Sequence, residues 1–138
     1  MAKTTVRWVT GKQFVGTDSR NQSVVLSGDD PAKGVSPSQM LLVGLSACTA
    51  YDILDIMTKK RQPISMLEII ADGEQDPAPP WAYRRIHLKY RVSGKDLTQK
   101  GLDQAVQLSQ EKYCSVAATV RGVAEITTQI EIVPEEAE

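Results

Sequence analysis

Polar and apolar residues alternate over positions 3–9, Lys-Thr-Thr-Val-Arg-Trp-Val, with Val6 and Trp8 on one side. This period of two predicts a strand. Gly11-Lys12 marks a turn, and Phe14-Val15-Gly16 resumes a second strand. After the polar turn Thr17 to Gln22, Ser23-Val24-Val25-Leu26 makes a third. Three short strands with tight polar connections predict an antiparallel meander. Gly28 to Gly34, built of Gly, Asp, Pro, Ala and Lys, reads as a loop.

The pattern then changes. Ser36-Pro37-Ser38-Gln39 places Ser at the N-cap, Pro at the first helical position and Gln three residues after the cap. That is a capping-box arrangement, in which Ser36 and Gln39 exchange side-chain bonds to each other's backbone N–H. The helix it opens runs to about Lys60, where Lys59, Lys60 and Arg61 suit the negative end of the dipole. Between Met40 and Met57 the apolar residues fall nearly all round the helix, so most of its faces must be covered. A chain of this size can hardly cover them alone, which implies a partner chain.

Further along, Met66 to Gly73 predicts a strand, and Asp76-Pro77-Ala78-Pro79-Pro80 a turn-rich connection. Pro77 to Trp81 reads as a surface connector. Arg84 to Val92 alternates cleanly: Ile86, Leu88, Tyr90 and Val92 on one face, Arg85, His87, Lys89 and Arg91 on the other. A strand of that kind has one side buried. Asp96 to Tyr113 predicts an amphipathic helix, and Ser115 to Arg121 a short one with Gly122 just past its end. A last strand carries Ala124, Ile126, Thr128, Ile130 and Ile132 on one face, and the tail from Pro134 is expected to fray. The order predicts a single α+β domain, residues 1–138, with helices on one side of a mostly antiparallel sheet around a long buried helix.

Composition narrows the function. The 138 residues carry 16 basic and 17 acidic side chains for a net charge of −1, with no basic block. Nucleic acid and an anionic membrane are therefore disfavoured as partners. No signal-peptide stretch opens the sequence, and Asp52 and Asp55 interrupt an apolar run that is short for a membrane span. The expected address is the cytoplasm, where thiols stay reduced. The two cysteines, Cys48 and Cys114, are then either buried fillers or chemistry.

Cys114 precedes a short helix, whose first backbone N–H groups favour a thiolate. Cys48 lies mid-helix and gains little from the dipole, so it needs a nearby cation to react at neutral pH. Two cysteines and one histidine without paired ligand spacing predict no metal, and nothing predicts a bound cofactor. His87 falls on the outer face of its strand and reads as solvated.

The residues Ser36-Pro37 opening a long helix, Gly44-Leu45-Ser46-Ala47-Cys48-Thr49-Ala50 within it, and Glu111-Lys112-Tyr113-Cys114-Ser115-Val116 resemble the OsmC/Ohr family along nearly the whole chain. That family comprises osmotically inducible protein C and the organic hydroperoxide resistance proteins, and the second motif is similar to its YhfA-type branch. The resemblance implies an intertwined homodimer with its two central helices side by side, and a site built from both chains. It implies thiol peroxidase chemistry on a hydroperoxide, with Cys48 peroxidatic and Cys114 resolving. A dithiol, thioredoxin-like or lipoyl partner would reopen the resulting disulfide. Family peroxidases also carry an Arg beside the thiolate and a Glu that orients it. The Glu position is Ser38 here, and Arg20, in a turn without the family's glycines, serves equally as activator or as a solvated turn residue. Arg7 and Arg121 are the other candidates. The competing reading is a dimer of the same fold that binds a hydrophobic small molecule, and a weaker one is a stress-linked structural dimer without ligand.

Overall fold

The computed structural model describes residues 1–135 and divides into two compact units, Met1–Leu41 and the chain from Leu42 onward. In the first unit, β1 (Thr5–Thr10), β2 (Gln13–Thr17) and β3 (Ser23–Ser27) form the predicted antiparallel meander. Gly11 makes the first turn with φ +51°, a left-handed conformation that costs glycine nothing. At the second turn the Asp18 carboxylate accepts the backbone N–H of Arg20 at 2.8 Å and of Gln22 at 3.0 Å. The alternation in β1 does not bury a side. Every residue of this edge strand is exposed, Trp8 at 70%.

Helix α1 (Pro37–Lys59) starts where the cap sequence predicts, with the Ser36 carbonyl accepting the Met40 N–H at 2.9 Å. The expected Ser36–Gln39 exchange is replaced, among the described hydrogen bonds, by a 3.4 Å contact between the Ser36 and Ser38 hydroxyls. Its 23 residues also make it longer than the apolar run suggested, long enough by length and composition to cross a membrane. It is not buried on most faces as expected but along one stripe: Leu45, Thr49, Ile53 and Met57, four residues apart, are fully buried, whereas Leu41, Val43, Tyr51 and Leu54 are exposed.

The second unit holds a second three-stranded sheet, β4 (Met66–Gln75), β5 (Tyr83–Ser93) and β6 (Glu125–Ile132), in that order. The first pair is antiparallel and the second parallel, so antiparallel pairing holds for three of the four strand pairs. The parallel pair follows from the long helical crossover between β5 and β6, which returns the chain to the same end of the sheet. As the alternation predicts, Ile86, Leu88, Tyr90 and Val92 are at most 1% exposed. Each aliphatic side chain buried in this row stabilises by about 2 kcal/mol. The opposite face carries ion pairs from Arg91 to Glu68 (3.0 Å) and from Lys89 to Glu131 (3.1 Å).

The helix predicted over 96–113 is shorter and has two parts. Helix α2 (Gln99–Leu108) begins at the Thr98 cap, whose hydroxyl accepts the Gly101 N–H at 3.0 Å. It then widens into a π turn, Ser109–Tyr113. Helix α3 (Ser115–Val120) follows, capped by Arg121 with Gly122 one residue beyond, as predicted. The connector ends at Trp81, 55% exposed and left-handed with φ +55°, where the Gln75 side-chain amide donates to the Trp81 carbonyl at 3.0 Å. The tail expected to fray is held as far as Glu135, whose carboxylate accepts the Ser65 hydroxyl at 2.8 Å; residues 136–138 lie outside the described part.

Candidate active site

At 100° per residue, α1 presents Leu45, Thr49 and Ile53 inward and Val43, Ala47, Tyr51 and Leu54 outward. Cys48 falls on the flank between these stripes and is half-buried. Cys114 is 2% exposed. It sits at the joint between the π turn and α3, held by its backbone and its sulfur. Its N–H donates to the Ser109 carbonyl at 2.8 Å, and its Sγ caps α3 by accepting the Ala117 N–H at 3.3 Å. Both thiols are free, and Cys48 is near enough to Cys114 to act on its thiol. Residues 66 positions apart in sequence are thus brought into one neighbourhood of the core, a proximity that spacing alone could not predict.

Burial pushes the Cys114 thiol up to about 11, and the hydrogen bond with Cys48 adds to this. The N–H groups of Ala117 and Val116 act in the opposite direction and lose. The expectation that the helix terminus would favour a thiolate at Cys114 is therefore corrected. The terminus is where it was predicted, but a six-residue helix offers too little field to offset the loss of water around the sulfur. At neutral pH Cys114 keeps its proton.

Beside the thiols runs a buried chain of polar groups that sequence reasoning missed. The Thr49 and Tyr90 hydroxyls are 2.9 Å apart, Ser109 Oγ is 2.9 Å from Thr49 Oγ1, and Ser109 Oγ is 2.8 Å from Asp52 Oδ2. Gln110 Nε2 reaches the Tyr90 hydroxyl at 3.2 Å. The Asp52 carboxylate only accepts, so Ser109 is the donor at that end of the chain. Ser109 shares its proton between Asp52 and Thr49, Gln110 donates to Tyr90 and to Thr49, and the Thr49–Tyr90 bond can run either way. Among the described residues no buried side-chain N or O atom lacks a partner. Desolvation raises Tyr90 to about 12 despite its bonds to Thr49 and Gln110, so it remains a donor.

A signal for part of this chain was present. Thr49 and Asp52 are among the few polar residues in a stretch of helix apolar nearly all round, and a tyrosine in an inward row needs a partner for its hydroxyl. Ser109 and the π turn have no such signature, because the wider turn depends on what the segment packs against.

The other candidates are placed as follows. Arg20 stands in the first unit, highly exposed, its guanidinium 3.6 Å from the Asp18 carboxylate of its own turn. Arg7 is exposed on β1. Arg121 donates to the Gln110 carbonyl at 2.8 Å and so clasps the π turn. Ser38 lies in the first turn of α1. His87 is on the outer face, but its two ring nitrogens meet Thr127 Oγ1 at 2.7 Å and Gln129 Oε1 at 3.1 Å, so it is tied to β6 rather than simply solvated. Among the described residues, no group of three or more His, Cys, Asp or Glu is arranged to hold a metal ion.

Comparison with known proteins adds a lineage to this geometry. The family described as OsmC-like protein matches residues 28–129. Protein YhfA of Escherichia coli strain K12 is 34% identical over 128 residues, covering 93% of this chain and 96% of its own length. The crystal structure of a hypothetical protein from Aquifex aeolicus VF5 superposes with a TM-score of 0.87 at 29% identity, over 99% of this chain and 98% of that one. The organic hydroperoxide resistance protein OhrB of Bacillus subtilis shares the fold, with a TM-score of 0.64 at 18% identity, over 95% and 98% of the two chains.

Proposed function

Since the chain belongs to the OsmC-like protein family, we propose that it reduces organic hydroperoxides in oxidative-stress defence, with Cys48 peroxidatic and Cys114 resolving. The observation that carries this is the unequal burial of two neighbouring thiols: half-buried Cys48 is open to a peroxide, and 2%-exposed Cys114 waits behind it with its proton. The name of the Bacillus subtilis OhrB protein points the same way.

The Cys48 thiolate attacks the distal peroxide oxygen, the O–O bond breaks, and the alkoxide takes a proton to leave as alcohol. Cys48 is now a sulfenic acid, two electrons oxidised. The Cys114 sulfur attacks it, an S–S bond forms, and hydroxide leaves with the Cys114 proton as water. A dithiol, thioredoxin-like or lipoyl reductant returns both thiols by exchange. Arg20 is the proposed activating cation, and residues 1–138 are read as one domain acting in the cytoplasm.

A homodimer completes the proposal. Val43, Tyr51 and Leu54 are 48%, 74% and 44% exposed along one stripe of α1, and water is a poor long-term neighbour for such a stripe. A second copy of the chain seated there would border Cys48 and exclude water from the reacting sulfur.

The test is thiol loss after one equivalent of cumene hydroperoxide, with mass spectrometry of the Cys48 and Cys114 peptides. Rapid loss of both thiols with a Cys48–Cys114 disulfide is expected. Thiols that persist for many minutes would move the function to binding of a hydrophobic small molecule.

A further inference from the structure

Ser109 bonds both cysteine-bearing segments. Its carbonyl accepts the Cys114 N–H at 2.8 Å and closes the wide ring of the π turn. Its hydroxyl is fixed to α1 at two points, 2.8 Å from Asp52 Oδ2 and 2.9 Å from Thr49 Oγ1, and Thr49 is the residue next to Cys48. Backbone and side chain of Ser109 thus make a strut from the Cys114 amide to the turn of α1 that carries Cys48. Nothing in the bare backbone of a π turn would hold it in place, since its hydrogen-bond geometry is less favourable than that of an α-helix and such turns survive where their surroundings demand them. Ser109 is fully buried, so water does not compete for its hydroxyl. Asp52, at the solvent-side end of the strut, is partly exposed.

We propose that Ser109, braced by Asp52 and Thr49, is a positioning residue that sets the separation of the Cys48 and Cys114 sulfurs and hence the ease with which they join. This rests on reading the two cysteines as a working redox pair, but not on the identity of the oxidant. The consequence is thermodynamic as well as kinetic. Disulfide geometry is narrow, with a Cβ to Cβ separation of about 3.8 Å. A segment free to wander spends little of its time at that separation, and the effective concentration of one thiol at the other falls accordingly.

The measurement is the equilibrium between the protein and a glutathione redox buffer, with no peroxide present. One glutathione disulfide is reduced to two thiols, which receive the two protons released by Cys48 and Cys114 as the protein S–S bond forms. Ser109→Ala should lower the equilibrium constant for disulfide formation at least tenfold, a rise in reduction potential of about 30 mV. Asp52→Ala should move it in the same direction. Asp52→Asn retains an oxygen that accepts from Ser109 and should restore the wild-type value. A mere loss of general stability would not separate the two Asp52 variants, and they decide the matter if Ser109→Ala does not fold. The proposal is overturned if Asp52→Ala and Ser109→Ala keep the wild-type potential, if Asp52→Asn is as impaired as Asp52→Ala, or if wild type forms no Cys48–Cys114 disulfide in this buffer. Wild type that forms the disulfide here yet ignores cumene hydroperoxide would retire the peroxidase reading alone.

Discussion

At Cys114 two opposing effects act on one sulfur, and desolvation outweighs the pull of two backbone amides, so the thiol is protonated until about pH 11. This has a kinetic and a thermodynamic consequence. In the proposed reaction, disulfide formation following Cys48 oxidation should quicken with pH and not level off below about pH 10, as stopped-flow thiol assays would show. Folding stability should move the other way. In the unfolded chain the Cys114 thiol ionises near its ordinary value, so above that pH the unfolded state binds fewer protons than the native state and stability falls with rising pH. The loss is complete once pH passes the folded value of about 11. Tyr90, raised to about 12, extends the same trend. Urea midpoints at pH 8 and pH 10.5 should therefore differ more for wild type than for Cys114→Ser. That variant should also leave a sulfenic acid trapped at Cys48, detectable with a dimedone probe, whereas Cys48→Ser should abolish turnover.

Helix α1 presents three faces that differ in what they ask of their surroundings. The inward stripe is apolar except at Thr49, whose hydroxyl bonds both Tyr90 and Ser109. Thr49→Val keeps the shape and breaks the chain at its middle, leaving the fully buried Tyr90 hydroxyl bonded to Gln110 alone. A cost of about 1–3 kcal/mol is expected, the usual penalty for a buried group that loses its partner. Tyr90→Phe removes donor and demand together and should cost less. Chemical denaturation of the two variants side by side checks the order; a cheaper Thr49→Val would show that the Thr49 hydroxyl is not what keeps Tyr90 satisfied. The flank of the helix carries Cys48, and the outward stripe is the face assigned to the second copy.

For the molecule as a whole, assembly is the property that stripe controls. Tyr51→Glu or Leu54→Glu places a charge where the proposed partner helix would sit, and desolvating an unpaired carboxylate there costs several kcal/mol. Sedimentation velocity should show wild-type dimers at micromolar concentration and monomers in either variant. Because Cys48 borders the stripe, the monomeric variants should also lose most of the hydroperoxide reaction. A wild-type monomer that reacts fully with cumene hydroperoxide would separate the chemistry from assembly and count against a partner at the site.

Local pattern was enough to determine the elements of this protein. Alternation in 84–92 located β5 and its buried row, Ser36-Pro37 located the start of α1, and the residues around Cys48 and Cys114 pointed to the family, because each of these depends on neighbours in the chain. Tertiary structure alone decided the rest. It made β6 parallel to β5, left β1 exposed despite its alternation, and turned the end of a predicted helix into a π turn. It also decided the charge state of Cys114. The physical reason is common to all four: burial and hydrogen bonding depend on which groups meet across the fold, and the free energy of a thiol proton or a wide turn is set by those meetings rather than by adjacent residues.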